Sequence, residues 1–299
     1  MKPEYSAIAD STPFPFMSPS SKSSDGEYVL ATGAAAVRRL FMLHNIYSPA
    51  GRRILLQAGL TPGMRVADFG CGIGATTGML AEMVGPSGSV TGIDANVAQL
   101  EQAKEICKRR GWTNASFQEA DACATGLPRA SFDLVYCRFL LLHLSDPASC
   151  LREMRDILKP GGLLVVEDGD IASAGSAPST ALDAGVDLFI RLGRTRGLDY
   201  SLARNLYHMV KDAGFPDPQI EIHQPALAHG ENRLFLKWSI EEAGPALISE
   251  KLVTSDQFQQ ILASIQEVTE NPDVLILAPR MSLVWARKPL QTQSFDKVA

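Results

Sequence analysis

Short apolar segments alternate with longer helical segments from Met64 onward, and this rhythm constrains the fold more than any other feature of the chain. Helical segments of about ten to fifteen residues between strands are typical of crossovers in a parallel sheet that is covered on both faces. The predicted strands are 66–69, 89–93, 116–118, 132–136 and 163–166, and the predicted helices between them are 75–84, 97–110 and 147–158. We therefore predict an α/β fold with a Rossmann-like, doubly wound and mostly parallel sheet.

The regions on either side of this core are predicted to be additions to one domain, because no shift in composition marks a linker. Residues 1–25 are rich in Ser and Pro and are expected to form a flexible arm. Further helices are expected over 32–46, 50–57, 182–192, 201–213, 233–248 and 255–269, and further strands over 219–223 and 281–286. The last strand is expected to rejoin the sheet as an antiparallel edge strand.

The composition excludes several classes of partner. The 299 residues include 28 Lys and Arg against 33 Asp and Glu, so the net charge is -5 and the totals show no basic footprint for nucleic acid. No apolar run approaches the length of about eighteen residues that a membrane span requires, and the N-terminus lacks the apolar segment of a secretory signal. The five cysteines are odd in number and form no Cys-x-x-Cys pair, which favours reduced thiols in the cytoplasm and no metal site.

A glycine-rich loop joins the first predicted strand to the first helix of the core. Asp68 is followed by Gly70, Gly72 and Gly74 at alternate positions. Glycines permit a tight turn and a close approach of the backbone to a ligand, and the helix N-terminus offers N–H groups to a carboxylate or phosphate. Gly70, Gly72 and Ala75 also satisfy the dinucleotide pattern Gly-x-Gly-x-x-Gly/Ala, so this loop alone also admits a nicotinamide-dependent oxidoreductase.

Acidic residues lie at the ends of the first three predicted strands. Asp68 ends the first strand, Asp94 closes the second, and Asp121 follows the third. Doubly wound folds bind ligands at the carboxyl ends of their strands. A carboxylate at Asp94 can accept both hydroxyls of a ribose, and Asp121 can reach an exocyclic adenine amine, so this edge is predicted to bind a ligand.

Residues 61–170 resemble the class I S-adenosylmethionine-dependent methyltransferases. The resemblance rests on the Asp-x-Gly-x-Gly-x-Gly loop at 68–74, on Asp94 and Asp121, on the Phe-Asp-Leu-Val strand at 132–135 and on the Leu-Lys-Pro-Gly-Gly turn at 158–162. Residues 28–30 and 38–40 are similar to the branch that includes the ubiquinone and menaquinone methyltransferases. The match weakens after Asp170, in the region where such enzymes differ by substrate.

The resemblance implies that S-adenosylmethionine is the cofactor and that its methyl group passes by in-line displacement to a small organic acceptor. It divides residues 26–289 into N-terminal cap helices (26–60), a cofactor-binding core (61–170), a helical substrate cap that completes the sheet (171–280) and a last strand (281–289), with a tail at 290–299. A cofactor-binding scaffold and a non-methylating member of the same fold are alternatives. The alternative of a nicotinamide-dependent oxidoreductase is disfavoured by Asp68, by Asp121 and by the lack of a second mononucleotide-binding half. The sequence does not indicate the oligomeric state.

Several residues are assigned to the methionine end of the cofactor by the resemblance. Gly70, Cys71 and Gly72 would face it, and Asp68 would orient either the loop or the amino group. Arg138 or Phe139, just after the fourth strand, would border the sulfonium. A thiol at a helix start can also be reactive, but packing of Cys71 as a small residue is the favoured interpretation.

Other residues are assigned to the adenosine end. Asp94 would hold the ribose and Ala95 would border the adenine. Asp121 and Ala122 would read the adenine, and Tyr28 would cover the cofactor from the N-terminal side. No metal is expected to assist the transfer, because the fourth strand ends in Tyr-Cys-Arg rather than in a carboxylate.

A hydroxyl or amine acceptor would call for a base, and histidine suits that role at neutral pH. His143, five residues after Arg138, is the first candidate; its alternatives are packing beside the cofactor and capping the turn at Asp146. His44 is the second candidate, its alternative being a plain helix-face residue. Asp168 and Asp170 are expected either to bond a substrate hydroxyl or to lie in a solvated loop.

The remaining candidates concern the acceptor and the surface. Apolar and aromatic residues of the cap are expected either to contact a small organic acceptor or to pack the added helices together. These candidates are Phe41, Tyr47, Phe189, Leu236 and Trp238. The other histidines, His208, His223 and His229, are expected to be surface or structural residues.

Overall fold

The computed structural model describes residues 34–290, so the N-terminal arm, Tyr28 and residues 291–299 of the tail lie outside the described range. Its α-helices are α1 (Ala34–Ala58), α2 (Ala75–Val84), α3 (Val97–Arg110), α4 (Pro147–Ile157), α5 (Asp183–Thr195), α6 (Leu206–Asp212), α7 (Phe235–Ser249) and α8 (Ser255–Glu270). Its strands are β1 (Arg65–Phe69), β2 (Ser89–Asp94), β3 (Ala115–Glu119), β4 (Phe132–Arg138), β5 (Leu158–Asp170), β6 (Gly175–Ala177), β7 (Gln219–His223), β8 (Ala226–Leu227), β9 (Leu275–Leu277) and β10 (Arg280–Arg287).

The main sheet has seven strands in the order β3-β2-β1-β4-β5-β10-β7. Strands β1 to β5 run parallel to one another, and β10 runs antiparallel to both β5 and β7. The order reverses between β1 and β4, which is the switch point at which doubly wound sheets bind ligands. The predicted fold class, a mostly parallel Rossmann-like sheet with an antiparallel strand, is confirmed. The last strand, β10, lies between β5 and β7, so the expectation that it forms the edge is wrong, and β7 is the edge strand.

The central strands form the core because both of their faces are covered. Val66, Leu134 and Val165 on three adjacent strands have no exposed surface. Helix α2 contacts β1 and β2, whereas α1 contacts β5 and β10. Nearly continuous apolar runs of this kind are what a parallel sheet buried on two sides requires.

Two core helices begin and end where local capping signals place them. Helix α3 begins after Asn96, whose side chain accepts the Gln99 N–H, and ends at Gly111, which has a left-handed φ of 73°. Helix α2 ends at Gly85, whose N–H bonds the Ala81 carbonyl. Capping side chains and terminal glycines satisfy backbone groups that a helix end leaves open.

The N-terminal region corrects the prediction of two separate helices. Residues 34–58 form the single helix α1, which continues through Pro49. A proline inside a helix removes one backbone hydrogen bond. Burial of Ala50, Ile54 and Leu55 immediately after the proline holds the helix together, because all three are nearly or completely removed from solvent.

Strand β5 corrects the prediction of a turn at 159–162 followed by a short strand. The pairing with β4 shifts between Phe132, which faces Leu158, and Leu134, which faces Leu163, so the intervening residues form a bulge within the strand. Gly161 has a left-handed φ of 76° there. The strand also continues to Asp170, and Asp168 and Asp170 are buried in it, so the alternative of a solvated loop for these two residues is wrong.

A second, three-stranded sheet in the order β6-β9-β8 was not predicted. Its strands contain two or three residues each, too few to show an alternating pattern. Helices α5, α7 and α8 contact one another beside it. Arg233 fastens this region by donating hydrogen bonds to the carbonyls of Leu227, Val268 and Val274, among others.

Candidate functional site

The glycine loop between β1 and α2 has a backbone that only glycine adopts readily. Gly70, Gly72 and Gly74 have φ values of 66°, 54° and 77°. A Cβ atom at Gly70 would lie 2.9 Å from Leu140 Cδ1, and one at Gly74 would lie 3.0 Å from the Cβ of Ala103. Glycine is therefore required at these positions both by the left-handed backbone and by the close packing of neighbouring side chains.

Asp68 holds the loop from beneath. Its carboxylate is buried and accepts a hydrogen bond of 2.6 Å from Thr77 Oγ1 in the first turn of α2. Burial raises the pKa of Asp68 to about 7, against the opposing effects of the Thr77 hydrogen bond and the Arg138 charge. Of the two roles expected for Asp68, the contact with Thr77 favours orientation of the loop.

The start of α2 offers backbone donors. The residue that precedes it, Gly74, has no side chain to cap the first turn. Unpaired N–H groups at such a helix end attract anionic groups. Cys71 is buried in this loop, and burial raises the pKa of its thiol well above the usual value, which favours a packed residue over a reactive one.

Asp94 at the end of β2 lies next to the loop. Its Oδ2 accepts the Gly72 N–H at 2.8 Å, and its Oδ1 accepts the Asn96 N–H at 2.9 Å. Burial raises the pKa of Asp94 although these backbone donors oppose the shift. Each carboxylate oxygen has more than one acceptor site, so two oxygens with one backbone donor apiece can still accept the hydroxyls of a diol.

The other residues assigned to adenosine lie at the same edge of the sheet. The Ala120 N–H donates to the Asp94 carbonyl, which brings the segment after β3 beside the end of β2. Ala95 and Asp121 are exposed, and Ala122 is half-buried. The structure thus places these residues together around an open edge. Tyr28 lies outside the described residues.

Arg138 at the end of β4 turns toward α1 and α2. Its Nη2 donates to Thr76 Oγ1 at 2.7 Å and lies 3.1 Å from His44 Nδ1. Burial and the Arg138 charge lower the pKa of His44 to about 3, so the ring is neutral at physiological pH. Because Nδ1 faces a donor, we assign the ring proton to Nε2.

Glu167 is a buried acid in this neighbourhood that sequence reasoning missed. It faces Arg138 across β4 and β5, and neither carboxylate oxygen has a hydrogen-bond partner among the described residues. Burial raises its pKa to about 7, and the Arg138 charge opposes that shift. A glutamate directly after the apolar run 163–166 is the sequence signal that would have drawn attention to it.

An apolar cavity opens beside this network. Its walls come from α1, the segment after β4, α5 and α7. The empty space between them is about 630 Å³ when the open solvent at the mouth is included. Its lining consists of Arg39, Leu40, Leu43, Phe139, Leu142, His143, Ile171, Val186, Phe189, Phe235, Leu236, Ser239, Ile240 and Pro279. Among these, Arg39 was not predicted as a site residue, although it lies in the segment 38–40 that contributes to the family resemblance.

The predicted acceptor-facing residues divide into two groups. Phe189 and Leu236 line the cavity, whereas Phe41, Tyr47 and Trp238 do not, which favours the packing alternative for these three. Phe41 packs with the cluster around Ile73 of the glycine loop. Tyr47 is buried, donates to the Pro279 carbonyl at 2.8 Å, and meets the Phe139 ring edge-on at 5.1 Å. Trp238 lies under the guanidinium of Arg38.

Two neighbouring residues after β4 face different parts of the site. Phe139 lines the cavity and has a left-handed φ of 51°, unusual for a bulky residue. Leu140 packs against Gly70 of the loop. Of the two residues predicted to border the sulfonium, Phe139 is the one on the cavity wall, whereas Arg138 is engaged by Thr76 and His44.

His143 ends the short 3₁₀ turn Leu141–His143 and lines the cavity. Asp168 holds this turn by accepting the Leu141 N–H at 2.8 Å, while its other oxygen accepts the Gly169 N–H at 2.9 Å. Burial and the Arg39 charge lower the pKa of His143 to about 3. Asp168 therefore positions the segment that carries His143.

Asp170 and the remaining histidines lie away from the cavity lining. Asp170 is buried, and its Oδ2 accepts hydrogen bonds from Arg204 Nε at 2.9 Å and from Arg280 Nη2 at 2.8 Å. The other three histidines are exposed or half-buried, and they are His208, His223 and His229. Across residues 34–290, no helix is long and apolar enough to cross a membrane, and no group of three His, Cys, Asp or Glu residues is placed to hold a metal.

Comparison with known families identifies the class of this fold and site. A family model described as "Methyltransferase domain" matches residues 60–213, just over half of the 299 residues. The chain therefore belongs to the methyltransferase-domain family. The resemblance to class I S-adenosylmethionine-dependent methyltransferases is confirmed, with S-adenosylmethionine as the cofactor of that class.

Individual relatives agree with this assignment. The chain is 39% identical to an aklanonic acid methyltransferase of Streptomyces sp. strain C5 over 116 residues, which cover 39% of the chain and 53% of the relative. It is 33% identical to a ubiquinone/menaquinone biosynthesis C-methyltransferase of Shewanella sediminis over 127 residues, which cover 42% of the chain and 49% of the relative. The chain thus spans about half the length of these two relatives.

A solved structure supports the fold. The YcgJ protein of Bacillus subtilis superposes with a TM-score of 0.54 and 20% sequence identity, covering 79% of this chain and 96% of that protein. At this identity the likeness concerns the architecture alone.

Proposed function

We propose that this chain transfers the methyl group of S-adenosylmethionine to a small organic acceptor bound in the apolar cavity. The observation that carries the proposal is the segment after β4, which joins two sites. Leu140 packs on Gly70 of the glycine loop, while Phe139, Leu142 and His143 line the cavity. A cofactor on the loop and an acceptor in the cavity would meet across this segment.

The residues present suit S-adenosylmethionine. The uncapped start of α2 offers backbone donors to its carboxylate, and Asp94 has acceptor capacity for the ribose hydroxyls. Ala95, Asp121 and Ala122 would border the adenine. When bound, the sulfonium supplies a methyl group that is already activated, so alignment and exclusion of water are the main tasks of the protein.

The protein residues perform those tasks in different ways. Asp68 and Thr77 fix the loop, and Arg138 fixes Thr76 and His44, so we assign Asp68 and Arg138 to positioning. The apolar lining of the cavity keeps water from the reacting centre. Residues 34–60, the described part of the N-terminal cap, and residues 171–280 cover the core 61–170, and we assign selection of the acceptor to them.

Neither histidine is well suited to take a proton at neutral pH. A general base works best when its pKa lies near the working pH. The pKa values of His44 and His143 are lowered to about 3, and Nδ1 of His44 faces the Arg138 guanidinium. We therefore assign His143 to contact with the acceptor as a neutral ring, and Asp170, with its two arginine partners, to a structural role.

The cavity indicates the kind of partner, and the cysteine pattern indicates the location of the protein. An apolar cavity fits a small organic molecule better than a nucleic acid, in agreement with the net charge of -5. We place the protein in the cytoplasm, where reduced thiols are the rule for a chain with this cysteine pattern.

Calorimetric titration of the full chain tests the cofactor. S-adenosylmethionine and S-adenosylhomocysteine are expected to bind, and NADH is expected not to bind. Binding of NADH without S-adenosylmethionine would refute the proposal.

Turnover is tested separately, with labelled cofactor and a library of small organic acceptors that includes aromatic compounds. Formation of S-adenosylhomocysteine that depends on an acceptor is the expected result. Tight cofactor binding without turnover on any acceptor would instead favour a scaffold or a non-methylating member of the fold.

A further inference from the structure

We infer that the cavity takes an acceptor with an apolar body and an anionic oxygen, such as a carboxylate or phenolate, and that Arg39 binds this oxygen. The inference rests on the proposed function, because it treats the cavity as the acceptor site. It goes further in naming the charge of the acceptor and the residue that selects it.

Arg39 is a buried cation that is only partly paired. It lies on α1, is 3% exposed, and donates from Nε to Glu242 Oε2 on α7 at 2.5 Å. Its Nη2 is shielded from solvent and has no hydrogen-bond partner among the described residues. A guanidinium carries five N–H donors, and a buried donor without a partner is costly. Arg39 therefore has binding capacity left at the wall of the cavity.

The charge of the lining favours an anion. Among the fourteen lining residues of the described chain, Arg39 is the one with a permanent positive charge, and none is Asp or Glu. Its partner Glu242 is not part of the lining. The positive field of Arg39 extends into the cavity, because it contributes to the lowered pKa of His143. A cationic acceptor would be repelled there, and an anionic oxygen attracted.

The other lining residues are mostly apolar, and they determine what kind of acceptor skeleton fits the cavity. Phe139, Phe189 and Phe235 line the cavity together with leucine and isoleucine side chains. Such a surface gains from burying a ring system and gives a sugar or peptide few hydrogen bonds. An aromatic acid or a ring with an acidic hydroxyl combines both requirements.

The transfer also balances without a base if the bound oxygen is the nucleophile. Its lone pair forms the new C–O bond while the S–C bond of the sulfonium breaks. The negative oxygen and the positive sulfur both become neutral, and no proton moves. This agrees with a cavity whose histidine remains neutral.

Matched pairs of probes test the inference on the full chain saturated with S-adenosylhomocysteine. The pairs are benzoate and benzamide, 2-naphthoate and 2-naphthamide, and 2-anthracenecarboxylate and its amide, which cover a range of sizes. At pH 7.5 we expect at least one acid to bind ten times more tightly than its amide. Equal binding of acids and amides, or no binding of any acid, would overturn the inference.

Variants assign the preference to Arg39. Arg39→Met is expected to weaken acid binding at least tenfold and to leave amide binding unchanged. Because this change leaves Glu242 without its partner, the double variant Arg39→Met/Glu242→Gln is measured beside it. Arg38→Met is the control, since Arg38 is an exposed neighbour on the same helix. Retention of the acid preference in the folded Arg39 variants would contradict the inference.

Binding of S-adenosylhomocysteine is measured first in every variant. If the wild-type chain does not bind S-adenosylhomocysteine, the proposed function is wrong. Normal cofactor binding without an acid preference would count only against the role of Arg39.

Discussion

The Thr77 hydroxyl donates a 2.6 Å hydrogen bond to the buried carboxylate of Asp68 and so joins the first turn of α2 to the end of β1. The contact spans the glycine loop and fixes its two ends relative to each other. Its neighbour Thr76 accepts a hydrogen bond from Arg138 of β4. Two consecutive threonines thus tie the loop to two adjacent strands, and the loop geometry depends on the sheet beneath it.

Replacement of Gly74 by alanine is expected to destabilise the fold by about 2–4 kcal/mol. The left-handed φ of 77° disfavours a side chain, and the new Cβ would lie 3.0 Å from Ala103 Cβ and 3.1 Å from Phe117 Cζ. Gly126→Ala is the matched control, because Gly126 has a φ of 68° and no atom within 4 Å of an added Cβ. Urea denaturation should give the control a loss of only about 1–2 kcal/mol; equal losses would show that packing around the loop is unimportant.

Asp94→Ala is expected to weaken S-adenosylmethionine binding by about 1.5–3 kcal/mol, because charge-assisted hydrogen bonds are lost. This corresponds to a roughly 10- to 150-fold rise in Kd. Titration calorimetry measures the change. The Gly72 N–H also loses its acceptor in this variant, so Asp94→Asn serves as a second variant that keeps an acceptor oxygen near the loop. Unchanged affinity in both variants would show that the ribose lies elsewhere.

His143→Ala is expected to lower turnover by about 10- to 100-fold through loss of acceptor alignment. Because the ring lines the cavity rather than the glycine loop, the Kd for S-adenosylhomocysteine should stay within about twofold of the wild-type value. His208→Ala, a change at an exposed position of α6, provides the control for both measurements. A large loss of cofactor affinity would instead assign His143 to the cofactor site.

Glu167→Gln is expected to alter the dependence of stability on pH. The pKa of Glu167 rises from 4.5 to about 7 in the folded protein, so the folded state holds its proton more tightly than the unfolded state. Such a group contributes stability at low pH, and this contribution is lost as pH rises through about 7. Glutamine does not titrate, so the Tm of the variant relative to wild type should be higher at pH 8.5 than at pH 5.5.

Thermal unfolding at several pH values measures this difference. About 1 kcal/mol corresponds to a change in Tm of about 2–4 °C in a domain of similar size, which is readily resolved. Glu267→Gln, a change at an exposed position on α8, should give a constant difference from wild type over the same range. If the difference in Tm between Glu167→Gln and wild type were also constant across this pH range, burial would not raise the pKa of Glu167.

Much of the core follows from local sequence signals. Helices α2 and α3 begin and end at the predicted residues because Gly74, Asn96 and the glycines after each helix are local signals. The mostly parallel direction of the strands follows from the alternation of strands and helices. The residues of the glycine loop and Asp94 come together as expected because parallel strands place their carboxyl ends side by side.

The rest depends on contacts between distant parts of the chain. Asp168 and Asp170 follow the apolar run 163–166. Nothing in the local sequence shows that Asp168 will accept the Leu141 N–H or that Asp170 will pair with Arg280. The pairing of Arg39 with Glu242 joins residues about two hundred positions apart. Tyr47 and Trp238 carry the same apolar signal as Phe189 and Leu236, and only packing of the helices decides which of them reach the cavity.

Helix α1 forms a wall of the cavity through Arg39, Leu40 and Leu43, and its next residue, His44, contacts Arg138 beside the cofactor loop. Helix α1 therefore borders both the cavity and the predicted cofactor site. Binding of either ligand is expected to order helix α1 and so to raise the affinity for the other ligand. Thermodynamic linkage requires the two changes in affinity to be equal. The two dissociation constants then form a coupled pair, and each has to be measured both with and without the other ligand.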